Sequence, residues 1–405
     1  KGLKLLQSPN LIEEIRQDLS TLGYIGEDVN KVLVYLIATS RRMEEPLAGI
    51  IISRSSAGKS KLIETVRKLI PEEEVVAISS ASDTALYYAT DLSHKFVCIG
   101  ESKGNENIEY PLRELISNKE ITRMVTMKDE KSGQLKGVEI KTKGPIAYIE
   151  TSTGVDNINP ENLNRCLVLF VDESQLQTKR ILEYQRFLQT PEGFLTKQRI
   201  PSIIEKHKAA QKLLKPLLVI NPYAKFMGFP ERKLEARRDQ MKFIQLLNAV
   251  AFLNQYKREI KTIKDNDNTY EYIEPTLEDY RVTYELLVES GILSNTLSDI
   301  PKNAKDLYEI IEDMVLEKSK ESKKPVKDII FTRKDVWKYS GWSSFQVRKY
   351  IEILLDYELL EIMSGSLRGQ THNYRIVLEE ELESLMLEKI PKPEEMENIL
   401  KNKSV

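Results

Sequence analysis

The chain has 405 residues, 41% of them apolar, which is too many for one ordinary domain and enough for at least two hydrophobic cores. Charged residues make up 30%, but 60 Lys+Arg against 62 Asp+Glu leave a net charge of −2, so any nucleic-acid surface has to be local. Two cysteines in apolar runs (Cys98, Cys166) and three scattered histidines (His94, His207, His372) argue against a disulfide framework and give no metal-ligand spacing.

No run approaches about 18 consecutive apolar residues, and the opening KGLKLLQSPN lacks a signal-peptide core. A cytoplasmic protein without membrane contact is expected. The start at Lys1 rather than Met suggests a piece of a longer polypeptide.

Residues 1–41 form a helical lead-in, with Leu11, Ile15 and Leu19 on one helical face and Val29, Val32, Tyr35 and Leu36 on the next. Residues 42–215 alternate short apolar runs (LAGIIIS, EVVAIS, KFVCIG, GPIAYIE, CLVLFVD) with helical stretches, the pattern of a parallel sheet covered on both faces.

The first run continues as GIIISRSSAGKSKLIETVRKLI, a β-branched strand, a loop of small residues and a helix: the context a P-loop requires. In that geometry the backbone of Ser55, Ser56, Ala57 and Gly58 and the helix N-terminus wrap phosphates, Lys59 reaches the β/γ oxygens and the Ser60 hydroxyl ligates Mg²⁺. ATP and Mg²⁺ are the expected cofactors. Ser53 stands where the motif usually opens on glycine, a position that favours positive φ.

The run KFVCIGES ends in one acid, Glu101, where two are expected. Glu101 is either the base that activates water, with Gly100 replacing the metal-side acid, or itself the metal-side group, with Ser102 replacing the base. The segment 120–144 that follows reads as a protruding hairpin turning at Asp129–Gln134, with Lys128, Lys131 and Lys136 able to grip phosphates. GPIAYIETST then ends in hydroxyl residues suited to sensing a γ-phosphate, Thr153 by offset or Thr151 as the alternative, and Arg165 precedes the last core run.

Residues 216–300 read as an all-α lid around MKFIQLLNAVAFLNQYKRE, with the polar stretch 263–269 as a loop. Arg237 and Arg238 open its long helix, where the dipole disfavours cations unless they serve an outside anion. Residues 301–380 show helix, Ser-Gly turn, helix and an alternating pair, a winged-helix pattern with Gln346, Arg348, Lys349 and Arg368 free for nucleic acid. A charged helical tail, 381–405, closes the chain.

With these residues in place, the chain resembles the AAA+ helicase region of zinc-finger/toprim DNA primase proteins of bacterial genomes and mobile elements, related in plan to minichromosome-maintenance helicases. The resemblance rests on DLSTLGYIGEDVNKVLVYLIATSRRMEEPLA, SSAGKS, the run from HKFVCIGE through LRELIS, NRCLVLFVDES with its Gln-Thr, and RRDQMKFIQLLNAVAFLNQYKRE. It implies an α/β P-loop AAA+ core with a parallel sheet, an all-α lid and a C-terminal winged-helix domain. A serine-led P-loop looks normal there, Arg165 falls where ring ATPases aim an arginine at the neighbouring subunit's nucleotide, and Arg237/Arg238 fall at the sensor-2 position.

The implied function is ATP-dependent DNA translocation or unwinding by a homo-oligomeric, hexameric ring, with single-stranded DNA in the channel and duplex DNA at the winged helix. The alternative is a nucleotide-switched DNA-binding or helicase-loader protein with weak ATPase, because relatives show two acids where this chain has Glu101 and Ser102. Zinc-finger and primase parts are absent from these residues, so no primer synthesis is expected.

Overall fold

A computed structural model describes residues 1–53, 58–78, 86, 91–100, 108–128, 135–154, 158–229, 236–293, 302–357, 359–364, 372–377 and 389–402. They fall into two compact units, one of residues 1–227, 233–296 and 392–405 and a second of residues 228–232 and 297–391.

The first unit opens with α1 (Gly2–Leu6), α2 (Leu11–Thr21) and α3 (Asp28–Ser40). The middle of α3, VLVYLIA, is apolar all round, and Val32 to Ala38 are all but inaccessible: this is a buried helix rather than an amphipathic one. It lies against the central sheet, and Gly49 allows the close approach, since a Cβ there would stand 2.7 Å from Ile37 Cδ1.

That sheet holds β1 (Ala48–Ile52), β2 (Val75–Ile78), β3 (Lys95–Ile99), β6 (Ile146–Ser152) and β7 (Leu167–Phe170). All pairings are parallel, in the order β2-β3-β6-β1-β7. The five apolar runs of the sequence are these five strands, and β1 and β6 are buried along their whole length because both faces are covered. Helix α4 (Lys59–Arg67) follows β1 and packs with α3, while Leu112 and Leu115 of α5 (Glu109–Asn118) join the core on the face formed by Ile50, Val97, Tyr148 and Val168. Between α5 and β6 stand β4 (Glu120–Lys128) and β5 (Leu135–Lys143), a separate antiparallel pair in register from Glu120↔Lys143 to Lys128↔Leu135. Helix α6 (Pro160–Leu163) leads into β7.

After β7 come α7 (Gln175–Phe187), α8 (Pro191–Leu213), β8 (Leu218–Val219), α9 (Ala236–Leu253), β9 (Lys261–Asp265), β10 (Asn268–Ile273) and α10 (Leu277–Tyr284). The expectation of an all-α lid over 216–300 is corrected here, because β8, β10 and β9 form a three-stranded sheet. Residues 261–273 turn tightly at Asp265-Asn266-Asp267 with Asn266 at φ 52, and Ile263 faces Tyr270 across the pair. Asparagine tolerates the left-handed turn, and a β-branched residue opposite an aromatic one favours strands, so the polar stretch is a hairpin tip.

In the second unit, α11 (Lys302–Ser322), β11 (Phe331–Thr332), α12 (Arg333–Ser340), α13 (Ser344–Asp356), β12 (Leu360–Ser364) and β13 (Asn373–Ile376) surround one core that includes Leu307, Ile311, Phe331, Val347, Ile351 and Tyr374. Gly341 at φ 69 ends α12, and capping boxes start α12 (Thr332, Asp335) and α13 (Ser343, Gln346). The strands run antiparallel in the order β11-β13-β12. The last described helix, α14 (Pro393–Lys401), belongs to the first unit and packs on α10, with Met396 fully buried and Arg281 bonded to Glu397 at 3.2 Å.

Candidate nucleotide site and the arginine edge

Parallel strands end together, so β1, β3, β6 and β7 present their C-terminal ends along one edge of the sheet. The chain leaves β1 for the far strand β2, while β6 and β7 flank β1, and a crevice at such a switch point is where open α/β sheets bind ligands.

Gly58 caps α4 in the left-handed conformation, φ 102, and among the described residues a Cβ there would meet nothing within 4 Å. Lys59 is buried and its Nζ donates to the Ser53 carbonyl at 2.6 Å, so the ammonium folds back over the end of β1. Ser60 is exposed in the first turn of α4, which carries no acidic residue, leaving the helix N-terminus positive. Ser53 is absent from the positive-φ residues, and its N–H donates to the Ser152 carbonyl at 3.2 Å, extending the β1–β6 ladder. Serine is therefore unstrained where the motif usually has glycine. These residues fit a nucleotide's phosphates with Mg²⁺ on the serine. Ser55, Ser56 and Ala57 lie outside the described residues.

The alternatives on β6 have different environments. Thr151 is buried and donates to the Gly100 carbonyl, tying β6 to the end of β3, whereas Thr153 is exposed just beyond the strand. Glu101, the residue after Gly100, lies outside the described residues, as do Lys131 and Arg368. Cys98 is a buried free thiol pushed up to about 12 by burial, and burial likewise raises the free thiol of Cys166. Both stay protonated and unreactive.

The α2–α3 loop, part of a stretch that carries the family resemblance but with no site residue expected on it, reaches this same edge. Asn30 Nδ2 donates to the Phe170 carbonyl at 2.8 Å, the Asp172 N–H donates to Glu27 Oε1 at 3.3 Å, and Gln177 Nε2 donates to the Ile25 carbonyl at 2.5 Å. Burial raises the Glu27 carboxyl above its ordinary value against the hydrogen bonds from Asn30 and Tyr24. Gly26 turns left-handed there at φ 71, and a Cβ would stand 2.3 Å from Gln177 Oε1, so a side chain would be strained.

Arg165 lies at the opposite edge. Leu167 is level with Gly49 and Phe170 with Ile52, so the strand between them spans about 10 Å, and Arg165 lies on the far side of Leu167 from the P-loop. Its Nε donates to Ser117 Oγ at 2.8 Å and its Nη1 to the Glu161 carbonyl at 2.6 Å. Arg113 holds the same turn, donating to Asn162 Oδ1 at 3.1 Å and pairing with the Glu161 carboxylate. Burial, then the nearby guanidiniums of Arg238 and Arg113, lower the Arg165 pKa.

Arg238, exposed in the first turn of α9, is near enough to Arg165 to lower its pKa, and Arg237 is exposed beside it. The guanidiniums of Arg113 and Arg238 near that of Arg165 make a cationic patch at this edge of the sheet. Arg113 and Ser117 fall in the LRELIS stretch on which the family resemblance rests, but nothing in that stretch assigns them a role; their i, i+4 spacing on one helical face is what pairs them.

The β4–β5 pair places Lys128 opposite Leu135 and Lys136 opposite Met127, at the end away from the sheet. On α13, Gln346 Oε1 accepts from both the Ser343 N–H and its hydroxyl, so that amide is committed to the helix cap. Arg348 bonds Glu352 at 3.1 Å, Lys349 Nζ sits 5.3 Å from the Tyr350 ring centroid, and Phe345 is 76% exposed beside them. Among the described residues no group of His, Cys, Asp or Glu forms a metal-ion cluster, and no helix is long and apolar enough to cross a membrane.

Residues 5–199 match the family model described as the MTBMA_p00010 P-loop domain. The α/β part of the chain is thus similar in sequence to a P-loop domain, and its parallel sheet with flanking helices fits one. Among solved structures, the apo A form of the NrS-1 C-terminal region aligns over 92% of this chain and 78% of that one, at 13% identity and a TM-score of 0.34. No curated protein matches.

Proposed function

We propose that the chain is an ATP-dependent DNA translocase acting as a homo-oligomeric ring, a hexamer as the family resemblance implies. The observation that carries this reading is the placement of Lys59 and Ser60 at one edge of the sheet and of Arg165 at the other. A heterologous, head-to-tail contact between copies brings the two edges together and closes into a ring, completing each nucleotide site from two chains. Bound ATP with Mg²⁺ supplies the transferable phosphoryl group and neutralises part of its charge.

The chain's own residues then have separate tasks. Lys59 and the α4 N-terminus hold the phosphates, Thr153 or Thr151 senses the terminal one, and Glu101 orients water or holds the metal. Arg165 and Arg238 reach a neighbour's site, where a permanently charged fork stabilises the spreading charge. The β4–β5 hairpin with Lys128, Lys131 and Lys136 contacts single-stranded DNA in the channel. The second unit, whose helix–strand–helix–turn–helix–hairpin order supports a winged helix, meets duplex DNA through Arg348, Lys349 and Arg368.

Steady-state ATP hydrolysis with and without a single-stranded oligonucleotide tests this. Wild type is stimulated by DNA, while Lys59→Ala and Glu101→Gln lose turnover. A Lys59→Ala variant hydrolysing like wild type would overturn the P-loop assignment. A second reading, a nucleotide-switched DNA-binding or loader protein, is favoured by Gly100 and Ser102 flanking the single acid Glu101. Tight nucleotide-dependent DNA binding with negligible wild-type turnover would select it.

A further inference from the structure

Arg165 is held by two elements of its own chain. Its Nη1 is bound to the Glu161 carbonyl in the turn that carries it, but its Nε reaches across to Ser117, in the last turn of α5. One turn earlier on the same face, Arg113 grips Asn162 and the Glu161 carboxylate. The arginine's turn and the end of α5 are therefore joined by side chains on both sides. Nη2 of Arg165 makes no hydrogen bond among the described residues, which leaves one donor corner of the fork for an outside acceptor.

The end of α5 is also the root of the β4–β5 hairpin. Ser117 lies two residues before Lys119, which turns left-handed at φ 61 and passes directly into β4. The Lys119 carbonyl accepts from the Gly144 N–H at 2.7 Å, so the strand leaving the hairpin is fastened to the residue that enters it. Leu92 N–H donates to the Lys143 carbonyl at 2.9 Å and Ser93 Oγ to the Gly144 carbonyl at 2.8 Å, fixing the other side of the root to the segment that starts β3. Nine paired positions extend from there, a lever of about 27 Å, so that tilting α5's last turn by about 10° displaces the far end by about 5 Å.

We propose that Ser117 is a positioning residue that couples Arg165 to this hairpin: a phosphate engaging Arg165 pulls on Ser117, and DNA moving the hairpin moves Arg165. The inference rests on the reading of Arg165 as an arginine that serves a neighbouring copy's nucleotide. Linkage makes the coupling reciprocal, so DNA on the hairpin and nucleotide at the interface favour one joint position of α5. Arg113 acts alongside by keeping the Arg165 turn seated against α5.

The test compares ATP hydrolysis by the full chain, with and without oligo(dT), in wild type, Ser117→Ala, Ser117→Thr and Arg165→Ala. Ser117 is exposed, so these substitutions leave the core intact. In Ser117→Ala the DNA-stimulated rate falls about tenfold, the scale of one hydrogen bond to a charged group, while the basal rate falls much less. Ser117→Thr, which keeps the hydroxyl, restores stimulation, and Arg165→Ala lowers both rates. Equal loss of basal and stimulated rates in Ser117→Ala would reduce the residue to a structural support and overturn the coupling. Normal stimulation of Ser117→Ala beside an inactive Arg165→Ala would also overturn the coupling but leave the ring reading standing. Wild-type rates in Arg165→Ala, or no stimulation of wild type by DNA, would overturn the ring reading itself.

Discussion

The separation of Lys59 from Arg165 predicts how two inactive variants behave when mixed. Lys59→Ala removes a buried ammonium from the phosphate site, and loss of one such donor lowers turnover about 100- to 1,000-fold. Arg165→Ala removes the charge offered to the next copy and lowers turnover about a thousandfold or more. Each variant is defective alone, but the defects fall on opposite edges of the sheet, and a head-to-tail contact uses one edge from each copy.

In a ring assembled at random from equal amounts of the two, a site is intact when the copy giving the P-loop is Arg165→Ala and the copy giving the arginine is Lys59→Ala. Each condition holds half the time, so about a quarter of the sites are complete. Co-expressing the variants and measuring DNA-stimulated phosphate release gives the number directly. Recovery to about a quarter of the wild-type rate supports the two-chain site. A rate no higher than the sum of the separate variants would refute it, because two residues serving one site within one chain cannot complement.

Thr151→Val removes the donor to the Gly100 carbonyl and costs about 1 kcal/mol of stability with little change in turnover, while Thr153→Ala slows hydrolysis about 100-fold; the opposite pattern of turnover would give the sensing role to Thr151. Lys128→Ala with Lys136→Ala lowers the slope of log affinity for single-stranded DNA against log salt by about 1.4 if both lysines contact phosphates, and an unchanged slope would remove the hairpin from the DNA site. His207 is fully buried between the Tyr35 hydroxyl at 2.9 Å and Asp18 at 2.8 Å, and burial, stronger than the pull of Asp18, lowers its pKa below 6.5. The unfolded chain therefore takes up a proton that the native imidazole refuses. Stability falls as pH drops below about 6.5, whereas Asp18, held low by His207 and Lys206 against burial, keeps its stabilising effect until pH falls below 3.8. Melting temperatures of wild type and His207→Gln between pH 8 and 5 check this, and parallel curves would count against it.

Much of the α/β core is legible in the amino-acid sequence. Alternating β-branched runs mark all five parallel strands, and the small-residue loop before Lys59 marks the phosphate end of β1, because both signals are local: side-chain shape sets strand preference, and a glycine-cornered turn sets where a helix begins. The hairpin of β4 and β5 is legible for the same reason. The three-stranded sheet of β8, β9 and β10 is not, because a short polar hairpin beside a long helix carries little hydrophobic pattern, and the pairing of β8 with β10 is not local.

Local pattern is thus enough to say which segments become strands and helices and which residues carry phosphate chemistry. Strand order comes from tertiary packing alone, and with it the facts that β6 stands between β1 and β3, that Thr151 donates to Gly100 while Thr153 is exposed, and that Arg165 is held by Ser117 of α5. Propensity acts over a few residues. The edge of the sheet on which a charge lies depends on contacts between segments tens of residues apart, which are fixed only when the apolar faces of α3, α5 and the sheet are buried together.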